Sequence, residues 1–106
     1  MKEYLLGDEI KLGVHIDPNE GYTLKDVDFK TEVFCSKFRV ITFTKNDVIP
    51  ISHTDFACIV DSTMLGEGEV KIRVTTFIPD GDAQDGFVTK QALLHPQVRV
   101  VSKYGK

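Results

Sequence analysis

Residues 59–87 read IVDSTMLGEGEVKIRVTTFIPDGDAQDGF, and the alternation in their middle decides the fold. From residue 69 to residue 78, successive side chains point to two contrasting faces. One face carries Val70, Ile72, Val74, Thr76 and Ile78, and the other carries Lys71, Arg73, Thr75 and Phe77. A period of two with one polar face predicts a half-buried antiparallel strand. Glycines precede this strand and Pro79 and Gly81 follow it, so we predict the central strand of a small β-sandwich.

The rest of the chain shows the same pattern in shorter segments. Residues 9–16 place Ile10, Leu12 and Val14 on one face, and residues 27–35 alternate in the same way. Further strand-like segments are residues 37–44, 48–52, 56–60, 87–94 and 98–101. We therefore predict an all-β, mainly antiparallel sandwich of seven or eight strands. Residues 1–106 form one domain in this prediction, with a frayed tail at 102–106.

A single helical turn is predicted between two strands, after residue 60. Asp61 or Ser62 caps its start, because both side chains accept hydrogen bonds from free backbone N–H groups. Met64 and Leu65 then plug the end of the core, and Gly66 ends the turn. Such a turn carries the chain from one sheet to the other.

The composition excludes several classes of function. Thirteen basic and sixteen acidic residues give a net charge of -3, and the basic residues are scattered. Nucleic-acid binding needs a basic patch, so we expect no nucleic-acid partner. No apolar stretch approaches the roughly 20 residues of a membrane span, and no secretory leader is visible. We expect no membrane contact and synthesis in the cytoplasm.

The two cysteines, Cys35 and Cys58, lie in apolar strand-like segments. They could bridge the two sheets as a disulfide, or they could be reduced thiols of the core. A cytoplasmic chain keeps its thiols reduced, and neither cysteine belongs to a CxxC pair. We predict two reduced, buried thiols.

No catalytic motif is recognisable. His15, His53 and His95 are isolated from one another in the sequence. Residues 52–55 read SHTD, but neighbouring residues of a strand end point apart and cannot form a proton relay. Nucleotide-binding loops, nucleophile elbows and zinc-protease motifs are all missing from the sequence. We expect a protein that is not an enzyme and that needs no cofactor.

One acidic loop, residues 79–86, admits two readings. Asp80, Asp82 and Asp85 alternate with glycine and other small residues, as carboxylates do in calcium loops. An EF-hand starting at Asp80 would need glycine where Asp85 stands and glutamate where Gln91 stands. Aspartate and glycine are equally common in tight β-connections. We predict a turn, with the three aspartates as weak candidates for a cation.

Three segments together resemble a known family. They are GDEIKLGVHI at residues 7–16, GYTLKDVDFKTEVF at residues 21–34, and residues 55–87 from DFACIVD to the IPDGDAQDG loop. This pattern is similar to small structural proteins of phages and prophages of Bacteroides-type bacteria. In particular, it resembles the N-terminal domain of phage upper-baseplate and fibre proteins. The resemblance implies an immunoglobulin-like sandwich that docks into a virion.

The function expected from this resemblance is structural. The chain would be an adaptor that joins other virion proteins in a tail, baseplate or head-fibre assembly, and it would form a homo-oligomer. Its location would be the virion, after synthesis in the bacterial cytoplasm. A free sheet edge could bind a partner strand, and the apolar final segment is the candidate edge. The predicted contact residues are Phe87, Leu93, Leu94, Val98 and Val100.

A different class of function stays open. The same scaffold could be a carbohydrate- or host-surface-binding module that uses its loops. Exposed aromatic residues near Tyr22 and Phe87 would then be the stacking platforms for sugar rings.

Overall fold

The structure is a computed structural model, and it describes residues 1–16, 27–36 and 39–102. The described residues form ten strands and one helical turn. The strands are β1 (Lys2–Leu5), β2 (Glu9–His15), β3 (Asp28–Ser36), β4 (Arg39–Thr44), β5 (Ile49–Pro50), β6 (Asp55–Asp61), β7 (Gly68–Glu69), β8 (Lys71–Pro79), β9 (Phe87–Leu94) and β10 (Val98–Val101), and the helical turn α1 spans Ser62–Leu65. The predicted all-β, sandwich-like fold is confirmed.

The strands pair into three sheets. A three-stranded sheet with the order β2-β6-β5 packs on a four-stranded sheet with the order β4-β3-β8-β9. These orders correspond to strands B-E-D and C′-C-F-G of immunoglobulin-like sandwiches. The third sheet has the order β1-β10-β7. Two of its strands are neighbours in sequence of strands in the four-stranded sheet, since β7 leads into β8 and β9 leads into β10.

The strand that the sequence places at the centre is central in the structure. β8 pairs with β3 on one side and β9 on the other, both antiparallel. Val70, Ile72 and Val74 are at most 1% exposed, as the alternation predicted. The apolar face of β2 is buried as well, with Ile10 fully enclosed. The rings of Phe29 and Phe56 meet across the sandwich, with their centroids 4.9 Å apart. The apolar alternation thus locates the core correctly.

The predicted helical turn forms between β6 and β7. The Asp61 carboxylate accepts hydrogen bonds from the backbone N–H and the hydroxyl of Thr63, at 3.0 and 2.7 Å. These bonds lower the pKa of Asp61, because they favour its charged form. Gly66 ends the turn with a φ of 80°. Leu65 is buried, but Met64 is 59% exposed, so the prediction that Met64 plugs the core is wrong.

Two further expectations need correction, and one strand pairing was not predicted. The structure has ten strands rather than seven or eight, because β1 was not predicted and the segment at residues 69–78 is divided into β7 and β8. The pairing of β1 with β10 is parallel, within an otherwise antiparallel set. Both cysteines are free thiols, as predicted, but only Cys58 is buried, whereas Cys35 is half-buried. Residues 103–106 of the predicted tail lie outside the described residues.

Candidate functional site

The candidate functional site is the free edge of β9, the last strand of the four-stranded sheet. β9 pairs with β8 without interruption, from Ile72 opposite Leu94 to Pro79 opposite Phe87. No other described strand pairs with its second side. Residues 87–91 are exposed on both faces of the strand. We call this second side of Phe87–Leu94 the β9 edge.

Two of the predicted contact residues lie accessible on the β9 edge. Phe87 is 51% exposed and Leu93 is 53% exposed, and both side chains lie on the face turned away from the core. Val88, on the opposite face, is 45% exposed. Single exposed apolar side chains are common on protein surfaces, so this exposure makes the residues accessible but does not by itself mark a contact surface. The two residues remain predicted contacts.

Val98 and Val100 are not contact residues, and that prediction is wrong. Between β9 and β10 the chain turns at Gln97, which has a φ of 61°. β10 then lies in the middle of the third sheet, between β1 and β7. Its alternation points Val98 and Val100 into the core, where they are 8% and 1% exposed. Leu94 is also directed inwards and packs, half-buried, against the core.

A shallow groove lies beside the β9 edge on the outer face of the sheet. It is lined by Phe34, Lys71, Arg73, Gln91 and Leu93. The guanidinium of Arg73 lies 5.3 Å from the ring centre of Phe34 and 3.8 Å from Glu32 Oε1. These two contacts direct the Arg73 charge towards β3 and away from β9. The groove next to Leu93 therefore combines the apolar Phe34 with the neutral Gln91 and two cationic side chains, Lys71 and Arg73.

The acidic loop is a hydrogen-bonded turn that connects β8 to β9. Asp80 N–H donates to the Gly86 carbonyl at 3.0 Å, which closes the loop. The Asp80 carboxylate accepts a hydrogen bond from Asp82 N–H at 2.9 Å. Across residues 1–16, 27–36 and 39–102, no three His, Cys, Asp or Glu side chains are grouped as metal ligands. The turn chemistry accounts for the Asp80 side chain.

A polar cluster around Asp55 lies at one end of the β2-β6 pair. Strand register places His15 opposite Asp55, and His15 Nδ1 lies 2.8 Å from Asp55 Oδ1. The Ser52 and Thr54 hydroxyls donate to the other carboxylate oxygen, at 2.8 and 3.1 Å. The hydrogen bond with His15, followed by that from Ser52, holds the pKa of Asp55 below its ordinary value. All of these bonds favour the carboxylate.

The cluster contains serine, histidine and aspartate but not in catalytic order. A relay needs the histidine between the serine and the carboxylate, so that its second nitrogen can take the serine proton. Here the carboxylate lies between the other two, and Ser52 Oγ gives its hydrogen bond to Asp55. His15 cannot activate Ser52 in this arrangement. Asp55 fixes the turn before β6, which its backbone carbonyl also stabilises through bonds from Ile51 and Ser52.

A cleft of about 260 Å³ lies beside this cluster. Its lining consists of Phe29, Lys45, Asn46, Val48, Pro50, Ser52, Asp55 and Phe56. Phe29 and Phe56 are at most 3% exposed. Their rings therefore form the floor of the cleft and are not accessible for stacking against a ligand. The Lys45 ammonium donates to the Val27 carbonyl at 2.7 Å. The cleft therefore has an apolar floor, and its Lys45, Ser52 and Asp55 side chains are already engaged in hydrogen bonds.

Sequence reasoning missed the pair of His15 and Asp55. The two residues are forty positions apart, and only the strand register brings them together. The one available signal was that each ends a strand-like segment on its polar face. That signal does not identify which segments pair.

Comparison with known proteins adds no relative. Family models, curated proteins and solved structures were each searched, and none matched this chain. In the described part of the chain, no helix is long and apolar enough to cross a membrane.

Proposed function

We propose that this chain is a non-enzymatic structural adaptor of a phage virion, which joins other virion proteins through the β9 edge. The observation that carries the proposal is the eight-residue edge strand, which is accessible on both faces over residues 87–91. Exposed edges can add a strand from a partner, and isolated proteins usually protect them. The resemblance of residues 7–16, 21–34 and 55–87 to phage baseplate and fibre domains supports the assignment to a virion.

The chemistry of the polar groups agrees with a structural role. The Asp55 cluster, which unites the residue types of a hydrolase, has the wrong order for proton transfer. Its hydrogen bonds instead hold a turn. On this proposal, the protein is made in the bacterial cytoplasm and is then incorporated into the particle.

The proposal is tested on particles from the bacterium that encodes the chain. After prophage induction, particles are purified on a density gradient, and peptides of this chain are quantified in each fraction. We expect the chain to co-sediment with the capsid proteins at a constant ratio. A cytoplasmic enzyme of the host is the control and should stay at the top of the gradient. If the chain stays there too, the virion proposal fails.

The runner-up is a carbohydrate- or host-surface-binding module. Of its predicted stacking platforms, Phe87 is exposed, and residues 21 and 22 lie outside the described residues. A glycan array probed with wild-type protein and with Phe87→Ala tests this alternative. Sugar binding that depends on Phe87, in a chain that does not enter particles, would replace the adaptor proposal.

A further inference from the structure

The β9 edge lacks the features that keep sheet edges from pairing. Proteins protect edges with short strands, prolines, bulges or several charges. β9 has eight residues, FVTKQALL, with no proline, an unbroken register to β8 and one charge, at Lys90. The edge strand β5 has two residues and ends at Pro50, and β4 pairs with β3 through a register shift. β2 carries Glu9, Lys11 and His15 on its outer face.

The sequence of β9 is complementary to itself in one antiparallel register. If Gln91 lies opposite Gln91 of a second copy, Leu93 lies opposite Thr89 and Leu94 opposite Val88. Ala92 then lies opposite Lys90, so the two ammonium groups stay apart. Moving the register to place Lys90 opposite Lys90 would bring like charges face to face, which destabilises a strand pair. Antiparallel strands of one sequence also supply matched backbone donors and acceptors.

This register also keeps the two cores on the same side. Residues directly opposite each other in an antiparallel pair point to the same face. Gln91 and Leu93 are on the outer face of each copy, with Arg73 and Thr75 as their neighbours on β8. A two-fold axis beside Gln91 would therefore join two four-stranded sheets into one continuous sheet. The Arg73 charge does not oppose this pairing, because it is directed to Glu32 and Phe34.

We propose that the β9 edge pairs with the β9 edge of a second copy of this chain, antiparallel, about a two-fold axis beside Gln91. The inference rests on the proposed function, since it names the occupant of the same edge. The occupant is a second copy because, in this register, Leu94 lies opposite Val88, Gln91 lies opposite Gln91, and the single charge at Lys90 lies opposite Ala92 rather than a second charge. A strand from a different virion protein is the competing occupant.

A charge exchange at Gln91 tests both the occupant and the register. Gln91→Lys places two ammonium groups opposite each other, and Gln91→Glu places two carboxylates opposite each other. Each variant alone should weaken the dimer about five-fold, as measured by sedimentation equilibrium. An equimolar mixture of the two variants should restore association to the wild-type level or above. The matched control is Ile59→Lys, on the outer face of the other sheet, where Ile59 is 48% exposed.

Circular dichroism must show a wild-type fold for each variant, and Thr89→Lys provides a second edge charge should either Gln91 variant unfold. A wild-type chain that is monomeric at several hundred micromolar overturns the inference, as does a dimer that Ile59→Lys disrupts and the Gln91 variants do not. A monomer that still co-sediments with particles would overturn the inference and leave the proposed function standing. A dimer that never enters particles would support the inference and overturn the proposed function.

Discussion

β9 and β10 are neighbouring apolar-rich segments of the sequence, but β9 lies at the edge of a sheet and β10 lies in the middle of one. β9 is the edge of its sheet, and Leu93 on it is 53% exposed. β10, four residues further on, lies between two strands, and its Val100 is 1% exposed. The apolar character of the two segments is similar. Leu93 lies on the outer face of its strand, whereas Val100 lies on the core face of a strand that has a neighbour on each side.

The cause of the difference is a short junction at residues 95–97. Gln97 takes a positive φ, and the backbone then leaves the edge to enter the third sheet. There Val98 and Arg99 meet β1, while β7 pairs on the other side. A local change of direction thus decides which apolar residues are available to a partner.

The largest effect on stability is expected when an aspartate is introduced into β10, compared with the same substitution in β9. Val100→Asp places an unpaired charge in the core and should prevent folding, because the cost is several kcal/mol against a total stability of about 5–15 kcal/mol. Leu93→Asp should change the free energy of unfolding by no more than about 0.5 kcal/mol. Urea unfolding followed by circular dichroism measures both. A soluble, folded Val100→Asp protein would show that the Val100 side chain is not buried in the core.

The second-largest effect on stability concerns the Cys58 thiol, which lies in β6 between the strands β2 and β5. Burial raises the pKa of the Cys58 thiol to about 11, from an ordinary value of 9.0. The folded state thus favours the neutral thiol, so its contribution to stability is complete below pH 9 and is lost as the pH rises to 11. Relative to Cys58→Ala, wild-type stability should fall by about 2 kcal/mol over this range. A difference that stays constant with pH would contradict the burial of the thiol.

The third effect tests the junction between β9 and β10. Gln97 has a φ of 61°, a region that β-branched residues avoid. Gln97→Val should therefore lower the free energy of unfolding by about 1 kcal/mol, and Gln97→Gly should not lower it. The matched control is Thr89→Val, in the regular part of β9, which should be neutral. Equal free energies of unfolding for Gln97→Val and Thr89→Val would show that the chain does not turn through a positive φ at residue 97.

The smallest effect is expected at the loop that leads into β9. If Asp80, Asp82 and Asp85 only form a turn, millimolar calcium should leave the melting temperature unchanged. A specific site would add about 2.7 kcal/mol of stability at one hundred times its dissociation constant, which is several degrees. Thermal unfolding with calcium and with a chelator decides between the two. Asp80→Asn, which keeps the acceptor for Asp82 N–H, is the control for the turn.

Much of the fold could be predicted from side-chain alternation. The alternation of residues 69–78 identified the central strand and its core face, and Asp61 and Gly66 marked the helical turn. These features depend on local chemistry, so a single sequence contains them. The parallel pairing of Lys2 with Val98 could not be predicted, because the partners are at opposite ends of the sequence.

The candidate site was only partly predictable for the same reason. An apolar terminal segment suggested an edge, and β9 is one. Nothing in the sequence separated Leu93 from Val100, since both are branched aliphatic residues near polar neighbours. Leu93 lies on the outer face of an edge strand, whereas Val100 lies on the core face of a strand flanked by β1 and β7, and these placements depend on long-range pairing.

The parallel pair of β1 and β10 also constrains the order of events during synthesis. Residues 2–5 are synthesised 96 positions before their partners at residues 98–101. The sheet order β1-β10-β7 therefore cannot assemble until residues 98–101 have been made, although the central hairpin of β8 and β9 is already available. Contacts this distant in sequence also form slowly. For that interval, the nascent chain exposes β1 and β7 to any chaperone or neighbouring polypeptide that binds unpaired strands.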